Sequence, residues 1–426
     1  MEPALEALWG RLVARTDYER CARPRAARFE LDAMRALLQR LGEPQRAFGS
    51  VHVAGSKGKG TTAHFLERGW RAAGLRTGLY TSPHLTDWRE RIRVAGAPAA
   101  DAALAAALDA VLAAAEDLPE ATFFDLLTAT AFVVFRDAGV EAAAVEVGLG
   151  GRSDSTNVLE PWACVVTSIE LEHTDVLGPT LAAVAGEKAG ILRPGAPAWL
   201  GADLPSEARA VLEAEAARVG APVRTPPSGA RPPRGLADHP LEHVRRLGAL
   251  ARAVLADLPA PARAGAAALD ALDACDLAIP GRFEAFRVGG RVVVLDVAHS
   301  SNSLGAVAAA FRAAFPERRA LLLAARDDRD PAALAAALGP RAADELRFAC
   351  PAGDHPRSAD PVRLAAAFGA ETLAAAPTTA DELAAVAPGL PLLVTGSTYH
   401  VGALRPALLA HGDRIAPPRP RAATRP

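Results

Sequence analysis

Residues 51–69 read VHVAGSKGKGTTAHFLERG: an apolar strand, a turn of glycines and lysines, then a stretch with apolar side chains at helical spacing. A strand that runs through a glycine turn into a helix leaves successive backbone N–H groups at the helix N-terminus, where they form a seat for an anion. The turn does not obey the ordinary phosphate-loop pattern G-x-x-x-x-G-K-[ST]. Val53 stands where the first glycine belongs, and Gly60, not Ser or Thr, follows Lys59. Two readings are open here, a nucleotide site of a variant kind or a basic loop. The apolar strand before the turn and the helix after it favour the nucleotide site, with Lys59 on the β- and γ-phosphates and Thr61 offering a hydroxyl to Mg2+. Lys57 reads as a solvated side chain.

The same alternation continues along the chain. FELDAMRALLQRL at 29–41 is helical and stops at Gly42 and Pro44. A helix from Thr61 to Ala73 is closed by Gly74, and RTGLYTSPHL follows as a strand. Residues 100–116 and the apolar run from Thr122, TFFDLLTATAFVVFRDAG, are helices; EAAAVEVGLGG and ACVVTSIELEH are strands. Strands alternating with helices predict a parallel sheet covered on both faces. Ligands bind such sheets at the carboxyl ends of strands. Here those ends carry SKGKGTT, TSPHL, EVGLGGRSDSTN and ELEHTD.

A chain of 426 residues is too long for one core. IPGRFE at 279–284 reads as a hinge, and a second α/β pattern follows it. That pattern is strand RVVVLDVAHSSNS, helix 304–314, strand ALLLAARDDRD, helix 331–338, strand ELRFAC, helix 361–368 and strand PLLVTGSTYHVG. The expected organisation is a nucleotide-binding domain with its N-terminal substrate segment at 1–279 and a smaller α/β domain at 280–412. A disordered basic, Pro-rich tail is expected at 413–426, and an exposed loop at 221–238.

Lys plus Arg number 47 against 49 Asp plus Glu, a balance that gives no support to a nucleic-acid or membrane-surface partner. Cys21, Cys164, Cys275 and Cys350 are scattered without a C-x-x-C pair, which argues against disulfides and zinc and fits a reducing cytoplasm. The N-terminus carries early acids and no long apolar core, so no secretory leader is expected, and no apolar run is long enough to span a bilayer.

Glu146 sits inside an apolar strand, where an isolated carboxylate is costly. A divalent metal would resolve that cost, and so would pairing with an arginine such as Arg152. Gly148, Gly150 and Gly151 allow close approach of a backbone or ligand. His173, just past a strand end, reads equally as a structural histidine or a ligand. Lys188, on a short helix, reads from its own surroundings as an exposed lysine, and Ser82 and His84 as turn residues.

Taken in order, HVAGSKGKGTT, YTSPHL, RERIRV, FFDLLTATAF, EVGLGGRSDSTNV, TSIELEHTDVLG, EKAGILRPG, PGRFE, LDVAHS and LVTGSTYHVG resemble the folylpolyglutamate synthase / dihydrofolate synthase family of the Mur ligase superfamily, from about residue 25 to 408. EVGLGGRSDSTNV and EKAGI are the most specific pieces. The family's nucleotide loop is the variant G-[ST]-x-G-K-G-[ST], in which the hydroxyl arrives one residue late, here at Thr61. The resemblance implies a Mur-ligase-like P-loop domain with a mostly parallel sheet plus a smaller Rossmann-like α/β C-terminal glutamate-ligase domain. It implies ATP-dependent addition of L-glutamate to dihydropteroate or a (tetrahydro)folate through an acyl phosphate, with Mg2+, in a cytoplasmic enzyme expected to be a monomer. An acyl phosphate hydrolyses readily, so closure of the two domains is expected as well.

Carried over residue by residue, the resemblance places Gly58, Lys59, Gly60 and Thr61 on the ATP phosphates. Thr61, Ser82, Glu146 and His173 fall on Mg2+, and Lys188 matches a lysine carboxylated on its side-chain nitrogen, which reverses the reading of an exposed lysine. Arg282, Asp296 and His299 fall on the nucleotide, and Thr122, Phe123, Phe124, Asp125, Ser153, Asp154 and Ser155 on the pterin substrate. Lys59, Lys188, Glu146 and His173 are then the catalytic set. The chain departs from the pattern at Asp125 and Glu172, each a methylene from the usual acid, and at Val297, Ser300 and Leu247. A Mur-type ligase for another carboxylate and a nucleotide-binding protein without ligase activity are the alternatives.

Overall fold

The computed structural model describes residues 2–16, 31–353 and 356–420. Of the segment Arg25 to Asp32, which with 122–125 was expected to decide between dihydropteroate and folate, only Leu31 and Asp32 lie among them. Two compact units emerge. The first comprises Met1–His84, Arg89–Pro233 and Arg246–Ala271; the second comprises Leu85–Trp88, Arg234–Arg245 and Leu272–Pro426. The second unit thus begins before residue 280 and takes in two earlier segments.

The first unit holds an eight-stranded sheet of β1 (Gly49–Ala54), β2 (Thr77–Tyr80), β3 (Ile92–Val94), β4 (Ala97–Pro98), β5 (Ala142–Glu146), β6 (Ala163–Val166), β7 (Ala198–Leu200) and β8 (Val223–Arg224), in the order β4-β3-β2-β5-β1-β6-β7-β8. All pairings are parallel except β2–β3 and β3–β4. β1 lies between β5 and β6, with Val53 in register with both Glu146 and Val165. Its carboxyl end is therefore flanked by the ends of the two strands that carry EVGLGG and TSIELEH. The helix Lys59–Ala72 crosses the helix Gly265–Ala271 closely because neither Gly69 nor Gly265 has a side chain; a Cβ on Gly69 would come within 2.8 Å of the Gly265 carbonyl. The helix Phe123–Asp137 is buried along most of its length, as its apolar sequence requires, and starts in a capping box between Thr122 and Asp125. Strands β7 and β8 and the helix Ser206–Val219 have weak signals and were not anticipated; β8 also places a short strand inside the expected loop 221–238.

The second unit holds β9 (Glu284–Val288), β10 (Arg291–Leu295), β11 (Arg319–Leu323), β12 (Glu345–Ala349), β13 (Glu371–Thr372), β14 (Leu392–Thr395) and β15 (Asp413–Ile415), in the order β13-β12-β11-β14-β10-β9-β15. β9 runs antiparallel to β10 and β15; the other pairs are parallel. The helices Pro331–Leu338 and Pro361–Phe368 match expectation, each with an Asp N-cap and Pro in its first turn. Two expectations are corrected. TYHVG does not prolong a strand: Ser397 caps a helix, Thr398–His411. The tail is not disordered from 413: Asp413–Ile415 is an edge strand, and Arg419 pairs with Asp238 at 3.0 Å.

Candidate active site

The turn after β1 is stitched to the turn after β6. Ser56 N donates to the Ser168 carbonyl at 2.8 Å, and Lys57 N to Ser168 Oγ at 2.9 Å. Thr167 Oγ1 donates to the Lys57 carbonyl at 2.6 Å. Gly55 allows this approach: a Cβ there would fall 1.9 Å from Thr167 Oγ1. Gly58 adopts φ +84° as N-cap, so Lys59, Gly60 and Thr61 form the first helical turn with their N–H groups unused by the helix. The strand–turn–helix of the sequence is thus a rigid anion seat at the centre of the sheet. Thr167 and Ser168 were not singled out from sequence, although two hydroxyl residues at the end of the neighbouring strand were the available signal.

Lys59 and Lys188 meet at this turn. Lys59 Nζ donates to the Gly55 carbonyl at 3.0 Å, and Lys188 Nζ donates to the same oxygen at 3.1 Å. Lys188 is only 1% exposed, which overturns the reading of it as a solvated helix lysine. Its second partner is Glu172 Oε1 at 2.9 Å. Burial first, and the charge of Lys59 second, pull the Lys188 pKa below the ordinary lysine value against the opposing pull of Glu172. Burial would raise the Glu172 carboxyl, but Lys188 and Lys59 hold it below the ordinary value.

Glu146, the last residue of β5, is buried and accepts from Ser82 N at 3.0 Å. A Cβ on Gly60 would lie 3.0 Å from Glu146 Oε2, so the carboxylate abuts the first turn of the phosphate-seat helix. Arg152 is engaged elsewhere, donating to the Gly186 carbonyl at 3.0 Å and lying 3.9 Å from Glu187 and Glu215. Arg152 is therefore not shown as the partner of Glu146. A carboxylate pressed against an anion seat calls for a cation between them, and the oxygen donors of Glu146, Thr61 and Ser82 suit Mg2+. His173 sits at φ +45°, and burial above all lowers its pKa, which favours the neutral, ligand-competent imidazole. Among the described residues no group of three or more His, Cys, Asp or Glu side chains is placed to hold a metal ion.

The residues expected at the substrate form one connected patch of the first unit. Asp125 Oδ2 accepts from Thr122 N and Oγ1, and Asp125 Oδ1 accepts from Ser155 Oγ at 2.6 Å. Phe124 packs against Gly148, which only a glycine permits, since a Cβ there would be 2.6 Å from the ring. Ser153 is half-buried between Arg152 and Asp154. Asp154 accepts from Leu149 N at 2.9 Å and from Thr156 N at 3.0 Å, and burial raises its pKa. Phe123 is 3% exposed and packs edge-on against Trp9 with the Arg91 guanidinium over it, so it supports the patch from beneath and does not line it.

In the second unit, Arg282 is exposed on the turn that follows Ile279. Asp296 is buried and accepts from Phe283 N and Ala298 N, each at 2.8 Å. It therefore fixes the turn that presents Arg282. Burial pushes its carboxyl up to about 6, against the opposing charge of Arg282. His299 Nδ1 lies 2.9 Å from the Val297 carbonyl, which makes that nitrogen the N–H donor.

A model of the Mur ligase, glutamate ligase domain matches residues 281–398. The mitochondrial folylpolyglutamate synthase of Homo sapiens is 33% identical over 369 residues, 76% of this chain and 62% of that protein. The dihydrofolate synthase/folylpolyglutamate synthase of Bacillus subtilis is 39% identical over 201 residues, 46% of each chain. The crystal structure of the bifunctional folylpolyglutamate synthase/dihydrofolate synthase of Yersinia pestis, complexed with AMPPNP and Mn ion, superposes with a TM-score of 0.77 at 27% identity, covering 96% of this chain and 100% of that one. The chain spans less than two thirds of the length of the curated relatives it matches. Fold and phosphate seat define a two-unit α/β protein of the Mur ligase superfamily. Within it, the chain is similar to folylpolyglutamate synthases and dihydrofolate synthases.

Proposed function

We propose that this protein is an ATP-dependent ligase that joins L-glutamate to a pteroate- or folate-class carboxylate, acting as a cytoplasmic monomer. The observation that carries the reading is the Glu146 carboxylate set against Gly60 at the start of the phosphate-seat helix, with Lys59 anchored across the same turn. That arrangement suits a cation-bridged nucleoside triphosphate. A substrate carboxylate oxygen attacks the γ-phosphorus; the O–P bond forms, the bond to the β-phosphate bridge breaks, and ADP departs. The glutamate amine then attacks the acyl carbon, phosphate leaves, and the amine gives up its proton. Mg2+, when bound, neutralises charge on the phosphates as it shifts between oxygens. Thr61, Ser82, Glu146 and His173 are the residues that would hold it.

The chain's own groups do the rest by positioning and charge. The N–H groups of residues 58–61 and Lys59 orient the phosphates, and the patch of Thr122, Phe124, Asp125, Ser153, Asp154 and Ser155 receives the acid substrate. Arg282 and His299 contact the nucleotide, with Asp296 acting through Arg282. Lys188 is carboxylated in the active form: its buried amine, eased toward neutrality, adds to CO2 and releases a proton, and the resulting anion takes the place of a cation beside Lys59.

The test supplies ATP, Mg2+ and L-glutamate with either dihydropteroate or a reduced folate, following ADP release together with the product mass. Expected is ADP release that needs both acid and glutamate, and a product heavier by one glutamyl residue. Which acid gains the residue separates dihydrofolate synthase from folylpolyglutamate synthase. ADP release indifferent to glutamate would return the protein to nucleotide binding without ligation.

A further inference from the structure

We propose that His52 is a positioning residue: from inside β1 it holds, through Thr156, the carboxylate of Asp154 and with it the loop 148–155. The inference rests on the reading of that loop as the acid-substrate site.

His52 is fully buried on the strand that leads into the phosphate seat. Its Nε2 lies 2.7 Å from Thr156 Oγ1, which lies 2.5 Å from Asp154 Oδ1. A hydroxyl has one proton to give. If Thr156 gives it to Asp154, His52 must donate through Nε2–H, and its Nδ1 is a bare lone pair. The reverse wiring needs a protonated Asp154 and puts an N–H on Nδ1. That nitrogen is buried without a partner. A buried N–H without an acceptor is the rarer orphan in folded proteins. The geometry therefore selects a one-way chain, His52 Nε2–H to Thr156 O–H to an ionised Asp154.

Asp154 Oδ1 also takes Thr156 N, and Oδ2 takes Leu149 N, so the carboxylate closes the glycine turn on itself. Asp154 Oδ2 is 3.1 Å from where a Gly148 Cβ would stand, in the contact that Phe124 makes with that glycine. The charges facing this group are Asp125, which opposes ionisation, and Lys188, which favours it; Arg193 faces His52. The resemblance assigned no role to His52 or Thr156, although both lie inside its motifs; they tie the strand feeding the nucleotide seat to the substrate patch.

Two pairs of variants test this in the full-length enzyme. His52→Phe and Thr156→Val each remove a link; His52→Gln keeps a donor where Nε2 stands, and Thr156→Ser keeps the hydroxyl. Expected for the first pair is a KM for the acid substrate raised about tenfold, the worth of one hydrogen bond to a charged group, with KM for ATP unchanged and with recovery in the second pair. Unaltered acid-substrate KM in Thr156→Val of native melting temperature overturns the proposal. A second arm does not need turnover. Nitrogen-15 NMR is expected to show neutral His52 protonated on Nε2, and a Leu149 amide resonance that moves in Thr156→Val and returns in Thr156→Ser. An Nδ1–H tautomer, or a Leu149 amide indifferent to Thr156, sinks the wiring even if ligase activity is confirmed; absence of acid-dependent turnover in the wild type sinks the functional reading instead.

Discussion

Lys59 and Lys188, distant in sequence, donate to one acceptor, the carbonyl of Gly55, at 3.0 and 3.1 Å. Two ammonium groups sharing one oxygen repel each other; Glu172, and to a lesser extent Asp154, offset that charge at Lys188. The pair concentrates positive charge beneath the anion seat, and the buried Lys188 loses its proton more easily than an ordinary lysine.

The proposed carboxylation of Lys188 would draw on that asymmetry. Only a neutral amine adds to CO2, so a depressed pKa enlarges the reactive fraction near neutral pH, and that fraction grows as pH rises. The modified side chain would repel Glu172 and attract Lys59, so Glu172 must let go of it. Activity is expected to fall in CO2-depleted buffer and return with bicarbonate, and Lys188→Ala to lose about a hundredfold in kcat. Labelled bicarbonate should give a carbamate carbon signal in the wild type that Lys188→Ala lacks. Full activity of the alanine variant would remove the modification from the mechanism.

Glu146→Gln keeps the shape of the side chain and an oxygen for Ser82 N, and deletes the charge. Its melting temperature should match the wild type while ADP release drops by about a thousandfold, since the carboxylate would hold the cation that neutralises developing phosphate charge, and loss of such neutralisation is among the largest single catalytic effects. Lys59→Ala is expected to abolish turnover as well. Residual rates within about tenfold of wild type in either variant would move the phosphate site elsewhere.

The contrast between these residues shows what a sequence can carry. β1, its glycine turn and the helix after it were legible because each is a local event: an apolar run, a positive φ at Gly58, a helix start. Glu146 stood out because a lone acid in an apolar strand is anomalous. Lys188 was opaque from its own surroundings, because the helix Leu181–Ala189 is made of small residues and its burial comes from packing against Gly151. Glu172 as its counter-ion, and Thr156 and His52 behind Asp154, are tertiary pairings with no period or spacing to reveal them. β15 was missed for the same reason: it pairs with β9, far away in sequence, and the short polar run DRI carries no strand signal of its own, whereas β9 forms a local hairpin with β10 across Gly289 and Gly290, a signal the sequence did offer.

Gly60 offers a steric probe of the same site. Alanine is compatible with its place in the helix, but the added methyl group would sit 3.0 Å from Glu146 Oε2 and push the carboxylate away. Gly60→Ala should therefore fold with an unchanged or slightly raised melting temperature and lose about a hundredfold in kcat, as misplacement of a charged group by part of an ångström can. An active Gly60→Ala enzyme would show that Glu146 does not need its observed position.

Glu345 supplies a prediction about stability in the second unit. Its carboxylate is 1% exposed and accepts from Arg312 Nε at 2.7 Å, Arg347 Nε at 2.8 Å and Arg319 Nε at 3.3 Å. Burial alone would raise its pKa, but the bonds from Arg312 and Arg347 overcome that and hold it at about 2, below the ordinary 4.5. A carboxyl whose folded pKa is depressed binds fewer protons in the folded state than in the unfolded one, so its stabilisation is complete above the unfolded value and is lost as pH falls toward the folded one. The contribution is on the order of 3 kcal/mol at neutral pH, to be eroded between about pH 4.5 and pH 2. Glu345→Gln should lower the melting temperature at neutral pH, leaving Arg319 and Arg347 buried with less compensation. Melting curves of both proteins should draw together as the buffer is acidified through that window. A gap between them that stays constant from about pH 7 to about pH 3 would mean that Glu345 is held by packing and not by its charge.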